Sequence, residues 1–371
     1  MRIIFRQFLG QNHSWSVVGR EIVRSLIRQG HQVDLFSTNG IQYFPEDLKP
    51  YLIGYQDGTT LYGKLPDNSY DMTFSFTALK NAPQYLQHSQ KNRFLCWVWE
   101  WNPQLPQGFA KHHASADLIV SPSTFGRDGF VASGIPSEKV VVIPHGVDQE
   151  QFDTAKAHPL KTKKSTKIFV NIGQSHRRKN IEGIFKSYCA AFTKADDVCL
   201  VAKISKNQMQ NPFDIDALKV MTNIRSTCGN KAPEIELIQD YVPNIATLYS
   251  AIDILFFPSH AEGFGLPPLE ALFAGKVSVC SRYGGMIDFL NDDNSLLIDG
   301  KVSPVPLNHQ YWQGSIKNQH FVPDISDCID KLRYAVANKD MLNKKVCEYR
   351  ETIRNKYSWD TVAKQITDLC E

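Results

Sequence analysis

Residues 254–288 read ILFFPSHAEGFGLPPLEALFAGKVSVCSRYGGMID, and the alternation inside this stretch decides the fold. Ile254 to Phe257 is a short, continuous apolar run that stops at Pro258, the pattern of a strand buried on both faces. A loop with glycines at 263 and 265 follows. A helix then opens at Pro267-Pro268, where proline suits the first turn. Val277 to Cys280 is a second strand. Strand, loop, helix and strand in this order form a parallel crossover, so the class is α/β. Glu262 lies in the loop and Glu270 one turn into the helix. Glycines let a backbone approach a ligand closely, and free amides at a helix start attract phosphate. A carboxylate such as Glu270 can accept two hydrogen bonds from vicinal ribose hydroxyls. The plain alternative is a surface loop with two solvated glutamates.

The same alternation extends outward over most of the chain. Strands are predicted at Ile3 to Phe5, Gln32 to Phe36, Met72 to Phe76, Phe94 to Val98, Leu118 to Val120 and Val140 to Ile143. Val17 to Ile27 has helical spacing, with Gly30 as its stop. His145 to Lys167 carries Pro159, five lysines and little periodicity, the composition of a linker. Beyond it come strands at Lys167 to Ile172, Cys199 to Lys203, Ile235 to Ile238 and Ser295 to Ile298, and a helix at Ile181 to Phe192. Residues 300–324 are polar and contain proline, which predicts loop, and Ile325 to Glu371 predicts helices. The expectation is two tandem Rossmann-like, doubly wound domains facing each other across a cleft, 1–150 and 151–356, able to close by rotation about the linker. Ligands of such sheets bind at the carboxyl ends of the strands.

Composition narrows the function classes. With 371 residues, 42% of them hydrophobic and 21% charged, the chain is neither collagen-like nor disordered nor a small disulfide scaffold. A net charge of +3 is too small to argue for nucleic acid. The eight cysteines form no C-x-x-C pair and several lie in apolar runs, which predicts buried free thiols in a reducing compartment. No secretion signal and no transmembrane run is expected. Asn12-His13-Ser14 then reads as a chance glycosylation sequon.

The 254–288 stretch resembles the retaining glycosyltransferases of family 4, which have the GT-B fold. The signature is E-x7-E, here Glu262 to Glu270, preceded by Pro258-Ser259 and followed by Ala271 to Gly275, a strand and Gly284-Gly285. Further matches are Pro144-His145-Gly146-Val147-Asp148 at the linker and Gly173 with Arg177-Arg178-Lys179-Asn180 after a strand. Tyr241-Val242-Pro243 and Leu248 to Asp253 match the run before the signature. Tyr357-Ser358-Trp359 is similar to the family's last helix, which returns to the first domain, here over 357–371. The chain departs from the family in having Gln174 where an arginine often follows Gly173. It has a single glycine in the turn Phe8 to Ser14. It also has Trp97-Val98-Trp99-Glu100-Trp101 where many members have a histidine.

The resemblance implies transfer of a hexose from a nucleotide diphosphate sugar, UDP-glucose before GDP-mannose, to a growing glycan or lipid-linked saccharide in polysaccharide assembly. It implies Glu262, Arg178 and Lys179 at the reaction centre, the choice between Arg177 and Arg178 staying open. Glu100 and His13 are the acceptor-side candidates, with Ser14 and Trp15 beside them. Gly173, Tyr241, Val242, Gly263, Phe264, Gly265, Leu266 and Glu270 are expected to bind the donor with Arg178 and Lys179. Flat tryptophan faces at 97 and 99 would suit sugar stacking, although their alternation equally suits a core. No metal and no cofactor is expected, since Arg and Lys can carry the diphosphate charge. Asp214-Ile215-Asp216 reads as a helix start with first-turn acids, and His112-His113 as an exposed helix face. The implied location is cytoplasmic, with peripheral contact at the inner membrane surface allowed and no nucleic-acid partner. A UDP-sugar 2-epimerase and a non-catalytic glycan- or nucleotide-sugar-binding module of the same fold are the competing readings.

Overall fold

The apolar runs become the centres of two parallel sheets in a computed structural model that describes residues 1–10, 13–38, 40–206, 214–306 and 318–371. The chain divides into two units, Met1–Gly146 with Asn355–Glu371, and Val147–Arg354. In the first, β1 (Arg2–Gln7), α1 (Ser14–Arg28), β2 (Gln32–Ser37), β3 (Leu52–Asp57), β4 (Thr60–Gly63), β5 (Met72–Phe76), α2 (Ala82–Tyr85), β6 (Arg93–Cys96), β7 (Leu118–Ser121), α3 (Thr124–Ala132) and β8 (Val140–Val142) follow in order. They build an eight-stranded sheet, β4-β3-β2-β1-β5-β6-β7-β8. All neighbours are parallel except the β3–β4 pair.

The second unit contains α4 (Gln149–Thr154), β9 (Thr166–Gly173), α5 (Ile181–Ala191), β10 (Val198–Ile204), α6 (Ala217–Thr227), β11 (Glu234–Ile238), α7 (Ala246–Ser250), β12 (Ile254–Phe257), α8 (Leu266–Phe273), β13 (Val277–Ser281), β14 (Leu296–Ile298), β15 (Gly300–Pro304), β16 (Gln319–Pro323) and α9 (Ile325–Ile353). Its six-stranded sheet, β11-β10-β9-β12-β13-β14, is parallel throughout. The central strands β12 and β13 are buried along their whole length, as the unbroken apolar run of β12 requires, and Ser278 and Ser281 of β13 are buried with it. The long α9 is broken at Asn338, whose backbone leaves the helical region. The last helix, α10 (Trp359–Asp368), packs on α1 of the first unit, with Arg28 paired to Asp360 at 2.6 Å.

Several sequence expectations need correction. The stretch 145–167 is not a free linker: His145 is buried beside the Phe76 ring at 5.7 Å, and Asp148 caps α4 by accepting from the Gln151 amide at 3.2 Å. Residues 300–324 are not all loop. β15 and β16 pair antiparallel, and 307–317 lie outside the described residues. β15 is almost wholly exposed, so no apolar period marks it. The same holds for β4, whose four residues all face solvent. Of the cysteines, Cys96, Cys199, Cys280 and Cys328 are buried, but Cys347 is exposed. Asn12 of the sequon and Gln11 beside it lie outside the described residues. Among the described residues, no helix is long and apolar enough to cross a membrane.

Gly146 shows how closely the returning helix is seated. A Cβ there would lie 2.8 Å from the Trp359 ring and 2.9 Å from its backbone nitrogen. Gly146→Ala is therefore expected to destabilise the protein by about 1–3 kcal/mol, the usual cost of overpacking a tight contact. Chemical denaturation checks this, and an unchanged midpoint would contradict the packing described.

Candidate functional site

The strand order of the second sheet reverses between β9 and β12, and the loops leaving such neighbours frame the crevice of an open α/β sheet. After β9, Gly173 adopts a left-handed backbone, and Arg177–Lys179 winds into a 3-10 turn. Asn180 follows with φ 54°, a conformation that asparagine tolerates. Its Oδ1 accepts from the Gly183 amide at 3.2 Å and so caps α5, while its Nδ2 donates to the Pro258 carbonyl at 2.9 Å. The two loops are thereby stitched together. The His260 amide adds a second stitch by donating to the Arg178 carbonyl at 2.7 Å.

Glu262 is the centre of the resulting cluster. Arg178 Nη1 and Lys179 Nζ each lie 2.6 Å from its Oε1, and all three side chains are largely buried. Arg178 Nη1 also donates to the Ala261 carbonyl at 3.2 Å, and Lys179 Nζ sits 4.8 Å from the Phe257 ring centre. Of the two arginines left open by sequence, Arg178 is the one that reaches the glutamate loop. Burial would raise the Glu262 carboxyl, but the charges of Arg178 and Lys179 outweigh it and hold the group below its ordinary range. Within this cluster one anion stands between two cations.

The path of the glutamate loop is fixed by Gly284. Its φ is 91°, and a Cβ would lie 2.6 Å from the Glu262 carbonyl oxygen. The Gly285 amide donates to that same oxygen at 2.8 Å. Gly263, Phe264 and Gly265 are buried, with the Phe264 ring 5.4 Å from that of Phe289, and Leu266 opens α8. Pro267 and Pro268, which follow, carry no amide. Any backbone donors at this helix start end at Leu266.

Glu270 projects from α8 in partial burial, and its Oε2 accepts from the Tyr249 hydroxyl at 2.7 Å. Burial pushes this carboxyl up to about 7, against the opposing pull of Tyr249 and Lys179. Sequence reading missed both Tyr249, buried on α7, and His260. The His260 carbonyl accepts from the Phe321 amide at 2.8 Å, and its Nδ1 lies 2.7 Å from the Phe321 carbonyl. A carbonyl only accepts, so Nδ1 carries the proton. The β15–β16 pair is thus docked on the loop that carries Glu262.

Other candidates lie on other elements. Tyr241, strongly exposed, and Val242 follow β11, the outer strand, which β10 separates from β9. Asp216 caps α6 by accepting from the Lys219 amide at 3.0 Å, but Asp214 is outside that helix. It lies instead 2.6 Å from His176 Nδ1, with its side chain fully covered. Burial and Arg178 push that imidazole down. Among the described residues, no group of three or more His, Cys, Asp or Glu is placed to hold a metal ion. In the first unit, His13 caps α1, its Nδ1 accepting from the Trp15 amide at 3.1 Å. Glu100 is half-buried after β6, separated from β1 by β5. Trp97, Trp99 and Trp101 are buried in the core, so the alternation at 97 and 99 reflects packing and not a sugar platform. His112 and His113 form a short 3-10 turn and are half-buried.

Residues 232–311, which contain both glutamates and Gly284-Gly285, match the family model described as glycosyl transferases group 1. The chain is a glycosyltransferase, similar to group 1 over this segment. A curated relative named as a glycosyltransferase, number 45 of Sulfolobus islandicus filamentous virus, is 22% identical over 380 residues, covering 95% of this chain and 90% of the relative. The O-antigen chain mannosyltransferase RfbU of Salmonella typhimurium is 24% identical over 213 residues, 57% of this chain and 52% of that protein. The chain thus spans about half the length of the latter. The solved structure of Anabaena HepE in complex with UDP and glucose superposes with a TM-score of 0.70 at 14% identity, covering 100% of this chain and 99% of that one. The fold of the chain is GT-B.

The raised Glu270 carboxyl has a measurable consequence. A carboxyl whose folded value exceeds its unfolded value of about 4.3 contributes stability that is complete below the unfolded value and lost as pH rises through the folded one. Glu270→Gln should therefore stabilise the protein at pH 8 by about 1–2 kcal/mol, allowing for solvent screening, with the gain shrinking towards pH 5. Denaturation at both pH values checks this, and an equal effect at both would contradict it.

Proposed function

We propose that this glycosyltransferase takes a nucleotide diphosphate hexose, UDP-glucose first, and transfers the hexose with retained configuration to a glycan or lipid-linked saccharide, without a metal ion. The observation that carries the reading is the buried pair of cations, Arg178 and Lys179, held on Glu262 where the β9 and β12 loops meet. In the reaction, the bond between sugar C1 and the β-phosphate oxygen breaks and its electrons stay on the diphosphate. The acceptor oxygen bonds to C1 on the same face and passes its proton to the departing phosphate oxygen. Charge therefore grows on the diphosphate and on the ring together. Arg178 and Lys179 meet the first, preorganised and partly desolvated, and Glu262 steadies the second. Glu270 receives the ribose hydroxyls, Gly173 and the 263–266 backbone approach donor phosphate and sugar, and His13 and Glu100 remain the acceptor-side candidates.

UDP is placed first because the HepE structure holds UDP and glucose in the same fold. The mannosyltransferase among the relatives keeps GDP-mannose as the second reading. The resident cations take the place of a metal in this account, so turnover should persist in excess EDTA. Activity lost to chelator and restored by magnesium or manganese would overturn that part.

Release of nucleotide from a panel of UDP- and GDP-sugars tests the class. Transfer or hydrolysis of one donor is expected, whereas formation of a sugar epimer would favour an epimerase. Lys179→Ala should lower kcat by about 10²-fold, the scale of losing one charge-stabilising group, with a much smaller loss of stability. Parental kcat in a folded variant would remove Lys179 from the reaction centre.

A further inference from the structure

A buried phenol at the site lies outside the E-x7-E segment. Tyr249 lies on α7 and is fully buried. Its ring stands edge-on to Phe169 of β9 at 5.3 Å and 82°, and tilted against Phe152 of α4 at 5.8 Å. Three elements thus immobilise a phenol whose hydroxyl is 2.7 Å from Glu270 Oε2 and 3.2 Å from the Pro267 carbonyl.

We propose that Tyr249 is the positioning residue for Glu270, fixing one carboxylate oxygen so that the other is free to take the ribose diol. The proposal rests on the reading that Glu270 binds the nucleotide ribose. Among the described residues, Tyr249 is the hydrogen-bond partner of the Glu270 carboxylate, and it engages Oε2 only. A glutamate has several rotatable bonds, and ordering it at the moment of binding costs affinity. A phenol locked in the core supplies that order in advance.

The second acceptor, Pro267, gives the arrangement two proton states. A phenol has one proton to donate. With Glu270 ionised, the charged oxygen takes it, since hydrogen bonds to charged acceptors are the stronger ones. With Glu270 protonated, the carboxyl donates to the phenol oxygen and the phenol proton turns to the Pro267 carbonyl. Neither state leaves a buried donor unpaired. Only the ionised state offers a carboxylate to two ribose hydroxyls, so nucleotide affinity should fall as pH drops through neutrality. The groups bearing on the Glu270 charge are Tyr249 from α7 and Lys179 from the turn after β9. Asn171 of β9, Cys280 of β13 and Glu270 itself bear on the phenol. On the α9 side, Arg350 reaches the Phe273 carbonyl, at the other end of α8.

The test is calorimetry of UDP binding from pH 5.5 to 9 with the full chain, Tyr249→Phe, Glu270→Gln and the double variant. Tyr249→Phe should weaken UDP by about fivefold or more at pH 7 and move the midpoint of the pH dependence upward by roughly one unit, the scale of one lost hydrogen bond to a charge. Glu270→Gln should weaken UDP and abolish the step near neutrality, leaving only that of the UDP terminal phosphate at about pH 6, and adding Tyr249→Phe to it should change nothing further. Where Tyr249→Phe does not fold, 3-fluorotyrosine at 249, a stronger donor, should move the midpoint downward. A folded Tyr249→Phe with parental affinity and midpoint, an unmoved midpoint with fluorotyrosine, or an equal loss in the Glu270→Gln background would each overturn the positioning role while leaving the ribose reading standing. Parental UDP affinity in Glu270→Gln would overturn the ribose reading, and the proposal with it.

Discussion

The site depends on one ion cluster, Arg178 and Lys179 sharing a single oxygen of Glu262. Taking three charges out of water is costly, and their attraction repays this only with good geometry and further hydrogen bonds. Here the geometry comes from the sheet. The reversal of strand order between β9 and β12 delivers two loops from adjacent strand ends to the same place. Asn180 and the His260 amide then tie those loops through their backbones, independently of the charges. The cations are therefore held by the fold and not only by the glutamate. This is what a site needs if a charged ligand is to exchange partners with them.

Around that cluster the chain accepts local cost. Gly284 takes a left-handed path so that the Glu262 backbone can lie against it. Glu270 sits where its charge is disfavoured, and Tyr249 recovers part of that through one hydroxyl. Functional sites commonly carry such unfavourable groups, and their replacement stabilises the protein while removing the function. Pro267 and Pro268 show the same trade. They open α8 cleanly but take away two amides that an anion site could use, so in the proposed reading the phosphate charge falls to side chains from the β9 turn.

The sequence made much of this readable because the relevant signals are local. The run from Ile254 to Cys280 names two buried strands, a glycine loop and a proline-started helix without any tertiary information. Arg178 and Lys179 were legible as a basic turn after a strand, but only the strand order shows that they face Glu262. Tyr249 and His260 were not legible as site residues. Each acts through a contact made across elements, the phenol to α8 and the imidazole to β16, and no spacing encodes those. β15 and β4 escaped because exposed strands lack the apolar alternation that betrays a half-buried one. The tryptophans at 97 and 99 read two ways from sequence, since an aromatic face suited to a sugar is equally suited to a core, and burial decided between them.

The central claim is that Glu262, with its two cations, acts on the reaction itself and not simply on the fold or on nucleotide affinity. The most direct measurement is the steady-state transfer rate of Glu262→Gln beside its UDP affinity by calorimetry, in a variant shown to be folded. The account predicts that UDP still binds, because Arg178 and Lys179 remain, while kcat falls by about 10²-fold or more, as expected when a group that meets transition-state charge is lost. A folded Glu262→Gln that turns over at the parental rate would contradict it.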